Sequence, residues 1–459
     1  MCGIFFAYSS NPKVMAAVED SHPRIVETIN MRGPDKTNTE RGKKFLAVHT
    51  LLSITGYREQ PVVTDDFMLL FNGEIYNDYL NYHMGYSDTD YLTAHIKEYG
   101  PDRFELIDGE YAVVVHDKVK GQAVVAVDPM GTKPLYYQLG PDYFIAGTYE
   151  TTVAKCGQKA EVKILPYNTR LVVNLSDFTV AVEEPIRHFV FDKQAVKTYD
   201  RWTEAFRTSL IKRSQNIRWP CFVSLSSGHD SGAVAAELAD LGAKFHVYSM
   251  PAGEDKEVLA GRFEYLAARG IEVESIDPTL AESLEMRSYF LEKLDPYYLK
   301  NPLNPEIVYG HDADFRYNGG VIAIGIIAAK AKSAGRKIGI FGSGGDEVYA
   351  DFHNPHQNPV WSQLKGRWDT VTGPWNNFGG GWLRIFLGGV ERVASLFCME
   401  GRYPLLDPEA VQQFLYLHPS LKCDGGEGKA PLANRMKELG FPYHERKYGF
   451  SGVEKLLDG

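Results

Sequence analysis

The feature that most constrains the fold is a change of hydrophobic rhythm near Glu184. Before it, short apolar runs of strand length alternate with Gly, Pro, Asn and Asp. Phe67–Phe71, Tyr111–His116, Ala123–Val127 and Arg170–Leu175 are predicted strands, and Val26–Met31 and Asp90–Tyr99 predicted helices. Such a pattern predicts an α+β sandwich of antiparallel sheets. After it, strands and helices alternate: Trp202–Gln215 helical, Cys221–Leu225 a strand, Ala233–Leu241 helical, Phe245–Met250 a strand, Glu257–Arg269 helical, Lys337–Phe341 a strand. Alternation of that kind predicts an α/β domain around a parallel sheet, with ligands at the carboxyl ends of its strands. The expected organisation is a domain over 1–184, a linker over 185–199 and a second domain over 200–459. Trp361–Phe386, rich in Trp, Gly and Phe, reads as a packed aromatic cluster, with a surface lid as the alternative.

Composition narrows the function classes. With 459 residues there is chain enough for two cores. A formal net charge of −10 argues against nucleic acid or an anionic membrane as partner. Cys2, Cys156, Cys221, Cys398 and Cys423 are too few and too scattered for a disulfide framework or a zinc site, which fits a reducing compartment. The first residues lack a basic leader, and Asn11-Pro12-Lys13 interrupts the apolar start. The longest apolar stretch, Val321–Ala329, is too short to span a bilayer and reads as a buried helix segment. The expected location is cytoplasmic.

Cys2 carries the first chemical signal. Once Met1 is removed, a single residue holds a thiol and a free α-amine, which titrate near ~8.5 and ~8 respectively. The amine can serve as the thiol's own general base. Behind Cys2 follow Met31-Arg32-Gly33-Pro34-Asp35, Phe71-Asn72-Gly73-Glu74-Ile75-Tyr76-Asn77, Ser87-Asp88-Thr89-Asp90, Asp108-Gly109-Glu110-Tyr111-Ala112 and Asp128 to Tyr137. In this order the strings resemble the class II glutamine amidotransferase domain, an N-terminal-nucleophile glutaminase. The resemblance implies that Cys2 attacks the side-chain amide of glutamine and that Asn72 with the N–H of Gly73 forms the oxyanion hole. Asp88, with Glu74 beside it, would hold the α-ammonium. Where the family places an Arg for the glutamine carboxylate, this chain has Leu51, which cannot make a bidentate pair. Arg58 is the candidate replacement.

In the second half, Ser226-Ser227-Gly228-His229-Asp230-Ser231 follows the Cys221–Leu225 strand and opens a helix. A Ser/Gly loop at such a junction offers N–H groups and hydroxyls to an anion. No Gly-Lys-Ser/Thr follows, so it is not a Walker A loop. It resembles the pyrophosphate loop of the ATP pyrophosphatases. Gly342-Ser343-Gly344-Gly345-Asp346-Glu347, Glu400 to Asp407, Gly428-Lys429 and Lys447-Tyr448-Gly449-Phe450-Ser451 resemble, in order, further segments of glutamine-hydrolysing asparagine synthetases. The resemblance implies an ATP site of Leu225, Ser226, Ser227, Gly228, Asp230, Ser231, Met250, Gly342 and Lys429. Asp230 and Asp346 would hold Mg²⁺, and Lys429 would neutralise the separating phosphates. It also implies an internal tunnel for ammonia, and a homodimer is compatible with it. Ser343 stands where asparagine synthetases carry Glu; Ser227 and Phe341 depart from the pattern too. His229 reads as a variable loop position, Cys221 as core, and His311-Asp312-Ala313-Asp314 as a solvated loop.

Three functions are consistent with these residues. One is an ATP-dependent ligase that amidates a carboxylate, aspartate foremost, with ammonia from glutamine. Another is the same reaction on a different carboxylate. The third, of another class, is a catalytically idle binding or scaffold protein. The retention of Cys2, Asp230, Asp346 and Lys429 speaks against the third.

Overall fold

The computed structural model describes residues 1–215, 217–297, 314–353, 361–424, 427–444 and 452–457. The chain forms two compact units. One comprises Met1–His188 with Ser395–Cys398, the other Phe189–Ala394 with Met399–Gly459.

The first unit contains β1 (Gly3–Ser9), β2 (Lys36–Arg41), β3 (Phe45–Leu51), β4 (Val62–Val63), β5 (Phe67–Ile75), β6 (Gly109–Asp117), β7 (Gln122–Val127), β8 (Tyr136–Leu139), β9 (Tyr143–Gly147), β10 (Lys163–Ile164), β11 (Thr169–Asn174) and β12 (Val180–Pro185). They form two six-stranded antiparallel sheets, ordered β10-β8-β9-β1-β3-β2 and β12-β11-β7-β6-β5-β4. Side-chain alternation sorts the strands into three cores. Ile4 and Phe6 of the first sheet meet Met68, Leu70 and Val114 of the second in the inner layer. Phe5, Ala7 and Val48 pack outward against α1 (Pro12–Asn30), and Leu69, Phe71 and Val113 against α2 (Asp88–Tyr99). The result is a helix–sheet–sheet–helix sandwich, the expected class.

One element is longer than expected. The predicted helix Val26–Met31 is the tail of α1, which begins at Pro12. Asn11-Pro12 does interrupt the apolar start, but as a cap: Asn11 accepts the N–H of Lys13, and Pro12 fills the first turn, where no N–H is needed. Pro23 inside the helix broke the sequence pattern.

The second unit is built on β13 (Cys221–Leu225), β14 (Phe245–Ser249), β15 (Val273–Ser275), β16 (Ile338–Ile340) and β17 (Glu400–Arg402), a parallel sheet ordered β15-β14-β13-β16-β17. The helices between them follow the expected alternation, with α5 (His229–Asp240) starting earlier than predicted. Gly319–Ser333 is helical and contains the predicted apolar segment. The aromatic-rich stretch is a packed cluster: Trp368, Trp375, Phe378 and Trp382 are buried. From Phe189 onward the connecting segment packs within this unit. Phe189 and Phe191 lie 5.2 and 5.1 Å from Phe378, and Val190 exchanges two hydrogen bonds with Gln412. The Lys447–Ser451 string and His311–Ala313 lie outside the described residues. No helix among the described residues is long and apolar enough to cross a membrane.

Candidate active site

Strand register builds the thiol pocket. Cys2 precedes β1 with the parity of Ile4 and Phe6, and Asn72 lies on β5 with the parity of Met68 and Leu70, so both face the inner layer. The backbone N–H of Cys2 donates to Asn72 Oδ1 at 2.8 Å. With Met1 removed, that nitrogen is the α-amine. Arg32, at the end of α1, fixes Cys2 from the other side by donating from Nε to its carbonyl at 2.8 Å. The Leu52 N–H lies 3.5 Å from Cys2 Sγ.

Asn72 Nδ2 is buried and has no hydrogen-bond partner. A buried donor left unsatisfied costs about 1–3 kcal/mol, so its presence points to a ligand oxygen. Next to it, Gly73 has φ +144°, and a Cβ there would overlap the carbonyl oxygen of Glu110 on the paired strand. Only glycine fits, which leaves the backbone at this position uncovered.

Glu74 and Asp88 are both buried beside Tyr82, whose phenol is pushed up by burial and by the charges of Asp88 and Glu74. Thr55 donates to Glu74 Oε2 at 2.6 Å, and Asp88 Oδ1 accepts the Thr89 N–H at 2.7 Å. Ser87 caps α2 in a reciprocal box with Asp90 and so fixes Asp88 in the first turn. Arg58, by contrast, is about half exposed and ion-paired with Asp90 at 3.5 Å.

Two residues outside the sequence expectation support this pocket. Buried Gln60 accepts the N–H of Phe71 and donates to Thr89 Oγ1, tying β5 to α2. His49 on β3 donates from Nε2 to the Phe71 carbonyl at 3.1 Å, and burial lowers its pKa to about 4. Neither stands in a motif, so only the fold reveals them.

Loops at the carboxyl end of the parallel sheet build the second site. A cavity of about 210 Å³ is lined by Ser226, Gly228, Asp230, Ser231, Gly342, Asp346 and Lys429, among others. Gly228 caps α5 with no side-chain cap bond, so the first-turn amides of this 12-residue helix are available to an anion. The loops after β13 and β16 touch: a Cβ on Gly345 would overlap the Asp230 carboxylate, and one on Gly342 would press on the Asp230 backbone. Lys429 Nζ sits 2.8 Å from Asp230 Oδ2 and 2.8 Å from Asp346 Oδ1. Burial opposes its charge, but the two carboxylates outweigh burial and raise its pKa. Glu347, buried behind them, has its pKa raised to about 8 by burial and then by the charge of Asp346.

Three expected ATP-site residues do not line this cavity. Leu225 and Met250 are buried. Ser227 turns both its N–H (2.7 Å) and its hydroxyl to the carboxylate of Glu254. The Glu400–Asp407 string is structural. Arg402 Nε donates to Glu400 Oε1 at 2.7 Å, and Asp407 caps the helix Pro408–Tyr416 while pairing with Lys212 and Arg213 at 2.6 and 2.9 Å.

Residues 1–191 match the family model of a glutamine amidotransferase domain. A putative glutamine-hydrolysing asparagine synthetase of Methanocaldococcus jannaschii is 24% identical over 328 residues, 66% of this chain and 57% of that protein. A probable asparagine synthetase of Schizosaccharomyces pombe is 31% identical over 157 residues, 31% of this chain and 28% of that one. Asparagine synthetase 2 of Arabidopsis thaliana aligns with 100% of this chain and 79% of its own length at 23% identity. Residues 1–191 thus form a glutamine amidotransferase domain, and over its full length the chain is similar to glutamine-hydrolysing asparagine synthetases. It spans 57% and 28% of the lengths of the first two of these relatives.

Three positions at which the sequence departs from the asparagine synthetase pattern lie in or near the two candidate sites. Leu51, in place of the family's Arg, is buried at the end of β3. Ser343 and Phe341 both line the cavity beside the Ser226–Ser231 loop. Phe341 stacks on Tyr403 at 6.2 Å and meets Phe222 edge-on at 6.0 Å, so it fills space as part of an aromatic group.

Proposed function

We propose that the protein amidates a carboxylate at the expense of ATP, with ammonia drawn from glutamine. The observation that carries the reading is the convergence of Asp230, Asp346 and Lys429 beside the uncapped amino end of α5. The 1–184 region acts as the glutaminase and 200–459 as the synthetase. In the first step Cys2 Sγ attacks the glutamine amide carbon, with the α-amine of Cys2 taking the thiol proton. Asn72 Nδ2 and the Gly73 N–H receive the developing oxyanion, and such a donor is typically worth ~10²–10³ in rate. Ammonia leaves, and water hydrolyses the thioester to glutamate. Asp88 and Glu74 receive the α-ammonium, and Arg58 is the available cation for the α-carboxylate.

In the second step an acceptor carboxylate oxygen attacks the α-phosphorus of ATP and pyrophosphate leaves. The α5 amides and the hydroxyls of Ser226 and Ser231 receive phosphate oxygens, with Gly228 holding the loop at the helix start, and Lys429 neutralises charge as the α- and β-phosphates separate. Two partly exposed carboxylates converging on one cation fit Mg²⁺, whose remaining ligands would be water and phosphate. Bound there, the ion would neutralise the pyrophosphate. Ammonia then attacks the acyl carbon, releasing AMP and the amide.

Aspartate is the first acceptor to test. A second reading, another carboxylic acid, is favoured by Ser343 and Phe341 lining the cavity where the family carries other side chains. The test is pyrophosphate release from ATP and Mg²⁺ across a panel of carboxylic acids, with glutamate production measured in parallel. Release with aspartate supports the first reading, and release with a different acid alone supports the second. No release with any acid, together with no glutamate from glutamine, returns the chain to a binding or scaffold role. Intact mass checks the first step independently, because retained Met1 would block the proposed base.

A further inference from the structure

The phosphate loop is gripped from behind by two charged residues, each bonded to it separately, that no motif includes. Glu254, which follows β14, accepts the Ser227 N–H at 2.7 Å and the Ser227 hydroxyl on the same oxygen, Oε2. Ser227 Oγ in turn accepts the N–H of Asp255 at 3.2 Å. Arg262, fully buried on the helix Lys256–Ala267, donates to the carbonyls of Ser226 and Gly228 (2.9 Å to the latter) and from Nε to Pro442. Gly232 admits it: a Cβ there would lie 2.6 Å from the guanidinium. Ser231 Oγ takes the Ser226 N–H and Ser226 Oγ takes that of Gly228, at 3.0 and 3.2 Å. Every amide of residues 226–228 is therefore occupied inside the protein. The amides left for an anion are those that open α5.

Glu254 is also an expensive residue for a purely structural tie. It is 9% exposed, and its Oε1 is buried without a hydrogen-bond partner. Burial raises its pKa, against which the Ser227 bonds and Arg262 act.

We propose that Glu254 is a positioning residue for the phosphate loop, fixing residues 226–228 so that the amino end of α5 presents its amides to the phosphates of the nucleotide. This rests on the reading of the cavity as an ATP site. Two effects compete. A carboxylate behind the loop repels phosphate, whereas a loop held in one conformation binds without first having to be ordered. The positive charge of Arg262, itself bonded to the loop carbonyls, offsets part of the carboxylate's field, so ordering wins.

The experiment is calorimetric titration of the full-length protein with Mg²⁺ and the α,β-methylene analogue of ATP, with inorganic pyrophosphate, and with adenosine. Glu254→Ala should weaken the ATP analogue and pyrophosphate about tenfold or more and leave adenosine within about twofold. Glu254→Gln, whose amide oxygen can still accept from Ser227, should stay within about threefold of wild type. General damage to the fold would weaken adenosine as well, and thermal melts of both variants check for it. If Glu254→Ala binds the phosphate ligands as tightly as wild type or more tightly, the carboxylate obstructs the loop rather than orders it, and the assignment is wrong. If the wild-type protein binds neither phosphate ligand, the ATP-site reading fails instead, before Glu254 is tested.

Discussion

The two candidate sites are held by different physics. In the first unit, Cys2 and Asn72 are placed by strand parity and by one hydrogen bond from the Cys2 N–H to the Asn72 side chain, and Gly73 is forced by the strand beside it. In the second, Asp230, Asp346 and Lys429 come from the starts of three separate helices and meet through opposite charge. Geometry fixed by a sheet can be lost only by disturbing the sheet. Geometry fixed by charge can be tuned, and other cations can stand in. Mutations should therefore act as switches in the first site and as graded, ion-dependent changes in the second.

The largest effect should come from Cys2→Ala. Glutamine hydrolysis should drop to ~10⁻⁴ of wild type or below, as removal of a covalent nucleophile does elsewhere. Pyrophosphate release driven by added ammonia should stay within about threefold. A loss of both activities would show that the two sites do not act separately and would break the comparison. Gly73→Ala comes next. The new Cβ must occupy the place of the Glu110 carbonyl at a positive φ, so β5 and β6 must part. The expected cost is about 3–5 kcal/mol, read from urea unfolding. A variant of unchanged stability would mean that register is not what holds the first site.

These same differences decide what could be read in the sequence. Cys2, Asn72, Gly73, Asp230, Asp346 and Lys429 stand in short strings whose order carries information. The strands around them follow from apolar runs, and Cys221–Leu225 was predicted with its observed bounds. Gln60, His49 and Glu254 were not legible. Each acts across long sequence separation through one hydrogen bond or two, and a single polar residue in a loop or strand gives no periodic signal. The orientation of Ser227 is hidden for the same reason. Its place in the loop was evident, but the partner that turns it away from the cavity follows a different strand.

Lys429→Met tests the graded side. Removing the ammonium should lower pyrophosphate release ~10²-fold and leave two carboxylates facing each other. A divalent cation can then take the place of the lost charge. Millimolar Mg²⁺ should raise the melting temperature of the variant by about 2–4 °C more than that of wild type. An equal rise in both proteins would mean that Asp230 and Asp346 do not share a cation, and the contrast with the first site would weaken accordingly.

The smallest expected effect on activity concerns Lys422, seven positions before Lys429 and its electrostatic opposite. Lys422 is fully buried, donating to Gln194 Oε1 at 2.5 Å and the Leu415 carbonyl at 3.0 Å, with the rings of Phe414 and Trp368 at 5.2 and 5.6 Å. Burial lowers its pKa to about 7, where the two carboxylates raise that of Lys429. The unfolded chain holds the Lys422 proton up to its ordinary value of 10.5, and the folded chain gives it up near 7. Between those values the unfolded state binds more protons, so stability contributed at this site rises with pH; below pH 7 both states are charged and the full burial penalty remains. Lys422→Met removes the titration. Relative to the variant, wild type should gain about 3–4 kcal/mol between pH 7 and pH 10 in urea unfolding, and nothing between pH 5 and pH 6. Parallel curves across the whole range would show that Lys422 keeps its proton in the fold. A charge would then be sustained by two neutral acceptors and two aromatic faces, and the second unit would tolerate buried cations without the acidic partners that hold Lys429.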